Sequence, residues 1–126
     1  MKKKAYHATN VKGVRVEEVQ RGHDGQRAAV GVDVSKRELV SLVRWGDGEF
    51  ERPWKSRNPQ EIGQLVEVLS SLSADRELVV ALESSGTYGD ALRQALSDRG
   101  IAVRQVKGKA AKDLSLIHIS EPTRPY

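Results

Sequence analysis

The sequence predicts an α/β fold in which a mixed sheet carries flanking helices, and three observations carry that prediction. Apolar, β-branched runs alternate with the period of strands over residues 28–34, 38–45, 77–82 and 101–106. Residues 58–72 and 88–96 instead repeat their apolar positions at helical spacing. The joints from strand to helix to strand near the end of the chain are short, which predicts a right-handed crossover between parallel strands.

The chain opens on a basic leader. Residues 1–27 hold seven of the 21 Lys and Arg against three of the 17 acids, so the whole formal net charge of +4 sits there. Val14, Val16 and Val19 lie among charged residues, and residues 21–25 contain two glycines and an aspartate, which predicts a short strand or extended arm ending in a turn. Lys2, Lys3, Lys4 and Lys12 are candidate contacts to nucleic acid phosphates. The competing reading is a solvated leader with no partner.

Residues 28–34, A-A-V-G-V-D-V, make the first core strand. Alternation puts Ala28, Val30, Val32 and Val34 on one face and Ala29, Gly31 and Asp33 on the other. A carboxylate in such a run is costly if buried alone, so Asp33 must meet a cation, a donor or water. Residues 35–37 form a polar turn into a second strand over 38–45. Gly46-Asp47-Gly48 then makes a hairpin turn, because glycine tolerates positive φ and aspartate bonds its own backbone. Residues 49–55 return as a third strand carrying Phe50 and Trp54. Pro53 cannot donate to a ladder, which predicts an edge position or an early end.

Asn58-Pro59-Gln60-Glu61 predicts a helix start, with Asn58 as N-cap, Pro59 in the first turn and Glu61 closing a capping box. Ile62, Leu65, Val66, Leu69 and Leu72 follow as one apolar stripe facing the core. Residues 77–82 read as a buried strand in which Val79, Ala81 and then Glu83 share one face. After the loop 84–87, Tyr88, Ala91, Leu92, Ala95 and Leu96 form a second amphipathic helix, ended by Arg99-Gly100. Residues 101–106 supply the last strand. Three strands, helix, strand, helix, strand is the plan of the ribonuclease H and RuvC nuclease superfamily, an analogy of fold that does not give function.

Asp33 and Glu83 end two apolar strands. If these are parallel neighbours about 4.8 Å apart, the carboxylates converge at one edge. Such hard oxygen ligands suit Mg²⁺, and paired ions stabilise the attacking and leaving oxygens of a phosphoryl displacement. The alternative is two unrelated turn or cap residues. His7, His23 and His118 show no metal-ligand spacing and are expected at the surface. Ser84 and Ser85 lack a nucleophile elbow, which argues against a hydrolase triad. With no cysteine, disulfides and thiolate metal sites are excluded, and 38% hydrophobic with 30% charged residues suits a soluble globular domain. No apolar run is long enough to span a membrane and no signal peptide opens the chain, so a cytoplasmic setting is expected.

G-V-D-V-S-K (residues 31–36) and A-L-E-S-S-G-T-Y-G-D-A-L (81–92), followed by V-R-Q-V-K-G-K-A-A-K-D, resemble the N-terminal half of the DEDD transposases of bacterial insertion sequences, the IS-one-ten group. The resemblance covers about residues 1–113 and extends to the leader. It implies a RuvC-like domain whose four acids bind divalent metal, here Mg²⁺, with a second domain bearing a nucleophilic serine in full-length members. It further implies DNA recombination directed by a structured guide RNA, and an oligomer when full length. Asp33 matches the first acid and Glu83 the second, as catalytic and metal-binding residues. Gly86-Thr87-Tyr88 matches the family's G-x-Y, with Tyr88 expected to pack the helix onto the sheet.

The third and fourth acids belong to a downstream H-D-x-K-D or K-T-D-x-x-D stretch that this sequence does not contain, and Asp113 does not replace them. Residues 114–126 resemble a translated sequencing adapter. The expected organisation is therefore a basic arm (1–27), a partial RuvC-like domain (28–113) and a non-native tail (114–126), a fragment inactive by itself. Lys36, Arg104, Lys107, Lys109 and Lys112 join the candidate nucleic-acid contacts. Two rivals stand beside this reading. One is an actin-like ATPase or sugar kinase, although such proteins resemble D-x-G-T after the first strand and Asp33 is followed by Val34-Ser35-Lys36. The other is a non-catalytic RNA- or DNA-binding module that needs charge but no metal.

Overall fold

A computed structural model describes residues 8–83 and 86–106. Lys2, Lys3, Lys4, Lys107, Lys109, Lys112, His7, His118 and the tail 114–126 lie outside the described residues. The elements in order are β1 (Thr9–Asn10), a 3₁₀ turn (Val11–Gly13), α1 (Val16–Val19), β2 (Ala28–Val34), β3 (Glu38–Trp45), β4 (Trp54–Arg57), α2 (Ile62–Ser73), β5 (Leu78–Glu83), α3 (Asp90–Asp98) and β6 (Ala102–Val106). They build one six-stranded sheet in the order β1-β4-β3-β2-β5-β6. The β2-β3-β4 meander is antiparallel, while β2, β5 and β6 run parallel and β1 joins β4 in parallel. This is the ribonuclease H-like plan: a meander whose first strand also pairs with the first strand of a parallel crossover unit.

All three helices pack on one face of the sheet. Ala28, Val30, Val32 and Val34 of β2, Leu39, Val43 and Trp45 of β3, and Val80 and Leu82 of β5 form a single cluster with Val19 of α1, Leu65, Leu69 and Leu72 of α2, and Leu92 and Leu96 of α3. Val30, Leu65, Leu69, Leu82 and Leu92 are fully enclosed. Each such side chain contributes roughly 1.5–3 kcal/mol by leaving water, which explains why the strand and helix periods of the sequence are obeyed here so closely. No helix among the described residues covers the opposite face, which carries Asp33, Val40, Leu42, Lys55 and Glu83.

The structure departs from expectation where tertiary contacts outweigh local signals. Residues 16–19 form a helical turn and not a strand, because Val11 and Val19 are drawn into the core. Arg76, following α2, staples this leader down. Its guanidinium donates to the carbonyls of Leu72, His23 and Gln26 and to Gln20 Oε1, and lies 5.1 Å from the centroid of the Trp45 ring. His23 is correspondingly buried and stacked on Trp45 with the ring centroids 4.3 Å apart. The expected surface position of His23 is thus corrected.

The third strand begins only at Trp54, after Pro53, and the segment before it keeps one isolated bridge, Arg44 to Phe50. The strand is also internal. β1 takes the edge, and the Pro53 carbonyl accepts the Thr9 N–H at 2.9 Å, while the proline's missing donor falls before β4 and so outside its ladder.

The start of α2 is displaced as well. Asn58 is no N-cap, and Glu61 closes no capping box. The helix begins at Ile62, and both side chains are committed elsewhere. Tyr88 lies in the turn before α3, 46% exposed, and does not pack the helix onto the sheet. Gly100 ends α3 at φ +76°, the left-handed conformation a glycine terminator supplies.

Candidate functional site

β2 and β5 are parallel neighbours in a register that sets Asp33 directly opposite Glu83 at their C-terminal ends. The two strands enter this rim from the core in step, Val30 beside Val80, Gly31 beside Ala81 and Val32 beside Leu82. Small Gly31 and Ala81 precede the acids on their own face, while Val40 and Val106 flank them in the adjoining strands. Asp33 is the one exposed residue of β2. Glu83 is half-buried, and its Oε1 is enclosed with no hydrogen-bond partner among the described residues. A buried carboxylate oxygen is seldom left unsatisfied. Paired with an exposed carboxylate one strand away, it fits a hard divalent cation, whose ligands are oxygens.

Asn58 organises the loops that leave this rim, a role its place before a proline concealed. Its side-chain amide donates to the Ser35 carbonyl at 2.9 Å and to the Tyr88 carbonyl at 3.0 Å. The first loop follows Asp33 and the second follows Glu83. The Asn58 N–H also donates to the Arg37 carbonyl, and Ser35 closes its own turn through N–H and Oγ bonds to the Glu38 carbonyl.

Glu61 in turn fixes the segment that carries Asn58. Its Oε1 accepts the Arg57 N–H at 2.9 Å and the Asn10 amide at 3.2 Å, and its Oε2 meets Lys12 Nζ at 3.3 Å. The Arg57 N–H is the main reason that the Glu61 carboxyl is held below the usual glutamate range. Burial opposes that shift, and Asn10 and Lys12 reinforce it. Lys12 is therefore occupied by an acid. Lys36 stands exposed in the turn three residues after Asp33, and Arg104 lies on the same sheet face, opposite Ala81.

A second group of ligating side chains gathers at the other end of the sheet, where Trp45 pairs with Ala28. His23, Asp47 and Glu49 bring one ligand atom each to within 4.8 Å of one another. His23 Nδ1 has Gln26 Oε1 at 3.3 Å, and its Nε2 faces Glu49 and Glu51 at 3.9 and 3.8 Å. Sequence spacing concealed this group, because 23 residues of chain separate His23 from the hairpin that the fold brings back to it.

The sheet order and the paired-acid rim define a ribonuclease H-like domain. The sequence profile of the DEDD transposases of the IS-one-ten group (IS110), described as a transposase, matches residues 30–122, and the chain belongs to that family. Membership implies the use of a divalent metal. No curated protein matches the chain.

Among solved structures, a Bacteroides thetaiotaomicron protein with an actin-like ATPase fold and unknown function is similar, at 14% identity and a TM-score of 0.53, over 79% of this chain and 41% of that one. Thermus thermophilus RuvC is similar at 18% identity and a TM-score of 0.39, over 64% of this chain and 63% of that one. The same nuclease bound to a Holliday junction substrate is similar at 19% identity and a TM-score of 0.40, over 79% and 83%. The chain thus spans less than two thirds of the first two structures. Among the described residues no helix is long and apolar enough to cross a membrane.

Proposed function

We propose that Asp33 and Glu83 hold Mg²⁺ at the rim of a transposase domain that acts on DNA during strand cleavage and rejoining. The observation that carries this reading is the direct opposition of the two carboxylates across β2 and β5, with Glu83 Oε1 buried and unbonded. Family membership supports it. A divalent ion bound there supplies Lewis-acid stabilisation of charge on phosphate oxygens. The residues of the chain do the rest. Asp33 presents its carboxylate on the solvent side, where a phosphodiester approaches. Glu83 supplies a desolvated oxygen from beneath. Asn58 holds the two flanking loops at a set separation, so that little reorganisation accompanies binding.

An all-oxygen donor pair selects Mg²⁺ or Mn²⁺ over softer metals. A structured guide RNA and an oligomeric assembly belong to the same proposal, as the family resemblance implies them. The actin-like alternative shares the fold, but this chain lacks the glycine after its first-strand aspartate that brings backbone amides to a nucleotide phosphate, Asp33 being followed by Val34-Ser35-Lys36.

Mn²⁺ titration followed by electron paramagnetic resonance tests the reading. The chain is expected to bind Mn²⁺ at the rim, about tenfold or more weakly after Asp33→Asn or Glu83→Gln, as loss of a charged ligand requires. Equal binding by all three proteins overturns it.

A further inference from the structure

The open face of the sheet carries a charge pattern that the metal rim does not use. Register places Glu83, Asp33, Val40 and Lys55 in one row across β5, β2, β3 and β4. Lys55 thus stands two strands from Asp33, roughly 10 Å away at ordinary strand spacing. Arg57 follows on the same face of β4, opposite Glu38. Lys36 and Arg37 project from the β2–β3 turn beside the rim. All four cations are exposed, and none makes an ion pair among the described residues.

Several cations elsewhere are placed differently. Lys12, Arg15, Arg27, Arg93 and Arg99 each meet an acid, and Arg76 is committed to carbonyls. Several cations of the leader and the helical layer are thus neutralised locally, whereas these four, like Arg21, Arg44 and Arg52, make no ion pair among the described residues, and they stand together beside the rim. Besides Asp33, Glu38 is the one acid of the meander's strands on that face, and it makes no ion pair with Arg57 among the described residues. Surface lysines and arginines are ordinarily just solvated.

Two features set these apart. No helix among the described residues covers their face. The turn bearing Lys36 and Arg37 is anchored by four hydrogen bonds from Ser35 and Asn58, so ordering it on binding costs little.

We propose that this face is a docking surface for the phosphate backbone of duplex DNA, with Lys36, Arg37, Lys55 and Arg57 meeting phosphates and the duplex crossing β3 and β4 toward the Asp33–Glu83 rim. Charge complementarity selects a polyanion, and the proposed transposase reading, on which the inference rests, selects DNA. Side chains without acid partners meet phosphate without first breaking an internal ion pair, and each such contact releases counterions.

The test is fluorescence anisotropy with a labelled short duplex, titrated in salt. Lys55→Glu with Arg57→Glu is expected to weaken binding about tenfold or more and to flatten the slope of log affinity against log salt by ~0.9 per lost contact. Lys36→Ala with Arg37→Ala, in the turn, lowers affinity and slope in the same sense and guards against misfolding of the strand variant. Arg93→Glu, on α3 behind the sheet, leaves affinity within about twofold.

No binding by the unaltered chain, unchanged affinity in both double variants, or an equal loss in Arg93→Glu overturns the proposal. A loss confined to a hairpin RNA, with duplex affinity unchanged, assigns the face to RNA and likewise overturns it. Absence of Mn²⁺ binding would defeat the metal reading alone, because these affinities are measured without metal.

Discussion

Asp33 and Glu83 face each other across a parallel strand pair, yet they meet solvent differently: the aspartate is exposed, while one oxygen of the glutamate is buried with no hydrogen-bond partner among the described residues. A cation bound between them would give that buried oxygen a partner. On the proposed metal reading, folding stability and metal binding are coupled at this rim, which makes the site testable without any recombination assay.

Glu83→Gln is expected to stabilise the metal-free protein by about 1 kcal/mol, since an amide removes a partly buried charge that has no partner. Saturating Mn²⁺ should reverse the order, raising the melting temperature of the unaltered protein by binding linkage and leaving the variant unmoved. Thermal melts with and without metal read both effects. A variant less stable than its parent in the absence of metal contradicts the account.

Asn58→Ala should cost about 2–3 kcal/mol, because the carbonyls of Ser35 and Tyr88 lose their donors at a buried position. Asn58→Asp, although isosteric, should cost more, since it sets carboxylate oxygens against those two carbonyls. Urea unfolding ranks the pair. Amide exchange should quicken in the loops after β2 and β5 before it quickens in the core.

The depressed Glu61 carboxyl sets an acid-side stability limit. A folded-state value below the unfolded one means that the contribution is complete above the ordinary glutamate range and is lost as pH falls through the folded value. The native protein should therefore lose stability on acidification below that range, and Glu61→Gln should flatten this part of the profile while lowering the melting temperature at neutral pH. Melts over an acid pH series measure both.

Arg76→Lys keeps the charge but not the fork that reaches His23, Gln26 and Gln20 together. A loss of about 2–3 kcal/mol is expected, the scale of several charge-assisted hydrogen bonds exchanged for one or two. Proteolysis should then cut the leader between residues 8 and 27 before it cuts the sheet. Simultaneous cutting throughout would show that the leader unfolds only with the whole domain.

Residues obeying one periodicity were legible in the sequence. The alternation of Val30 and Val32 about Gly31, the stripe from Ile62 to Leu72 and the Gly100 stop correspond to β2, α2 and the end of α3, because there burial and local preference act in the same direction. Asn58 was misread for an equally local reason. Asn before Pro is a strong cap signal, and only the approach of two distant loops gives its amide better partners.

His23 and Arg76 carried no signal at all. Their roles depend on Trp45 and on carbonyls remote in sequence, and no window of a few residues contains such contacts. By itself the sequence determined the core strands β2, β3, β5 and β6 and the helices α2 and α3, and that two acids end two apolar strands, since hydrophobic period and turn chemistry are properties of neighbouring residues. The tertiary structure alone decided that those strands pair in register, that one Glu83 carboxylate oxygen is buried, and that the unpaired cations share the acids' face, because strand order and burial are set by packing between segments far apart in the chain.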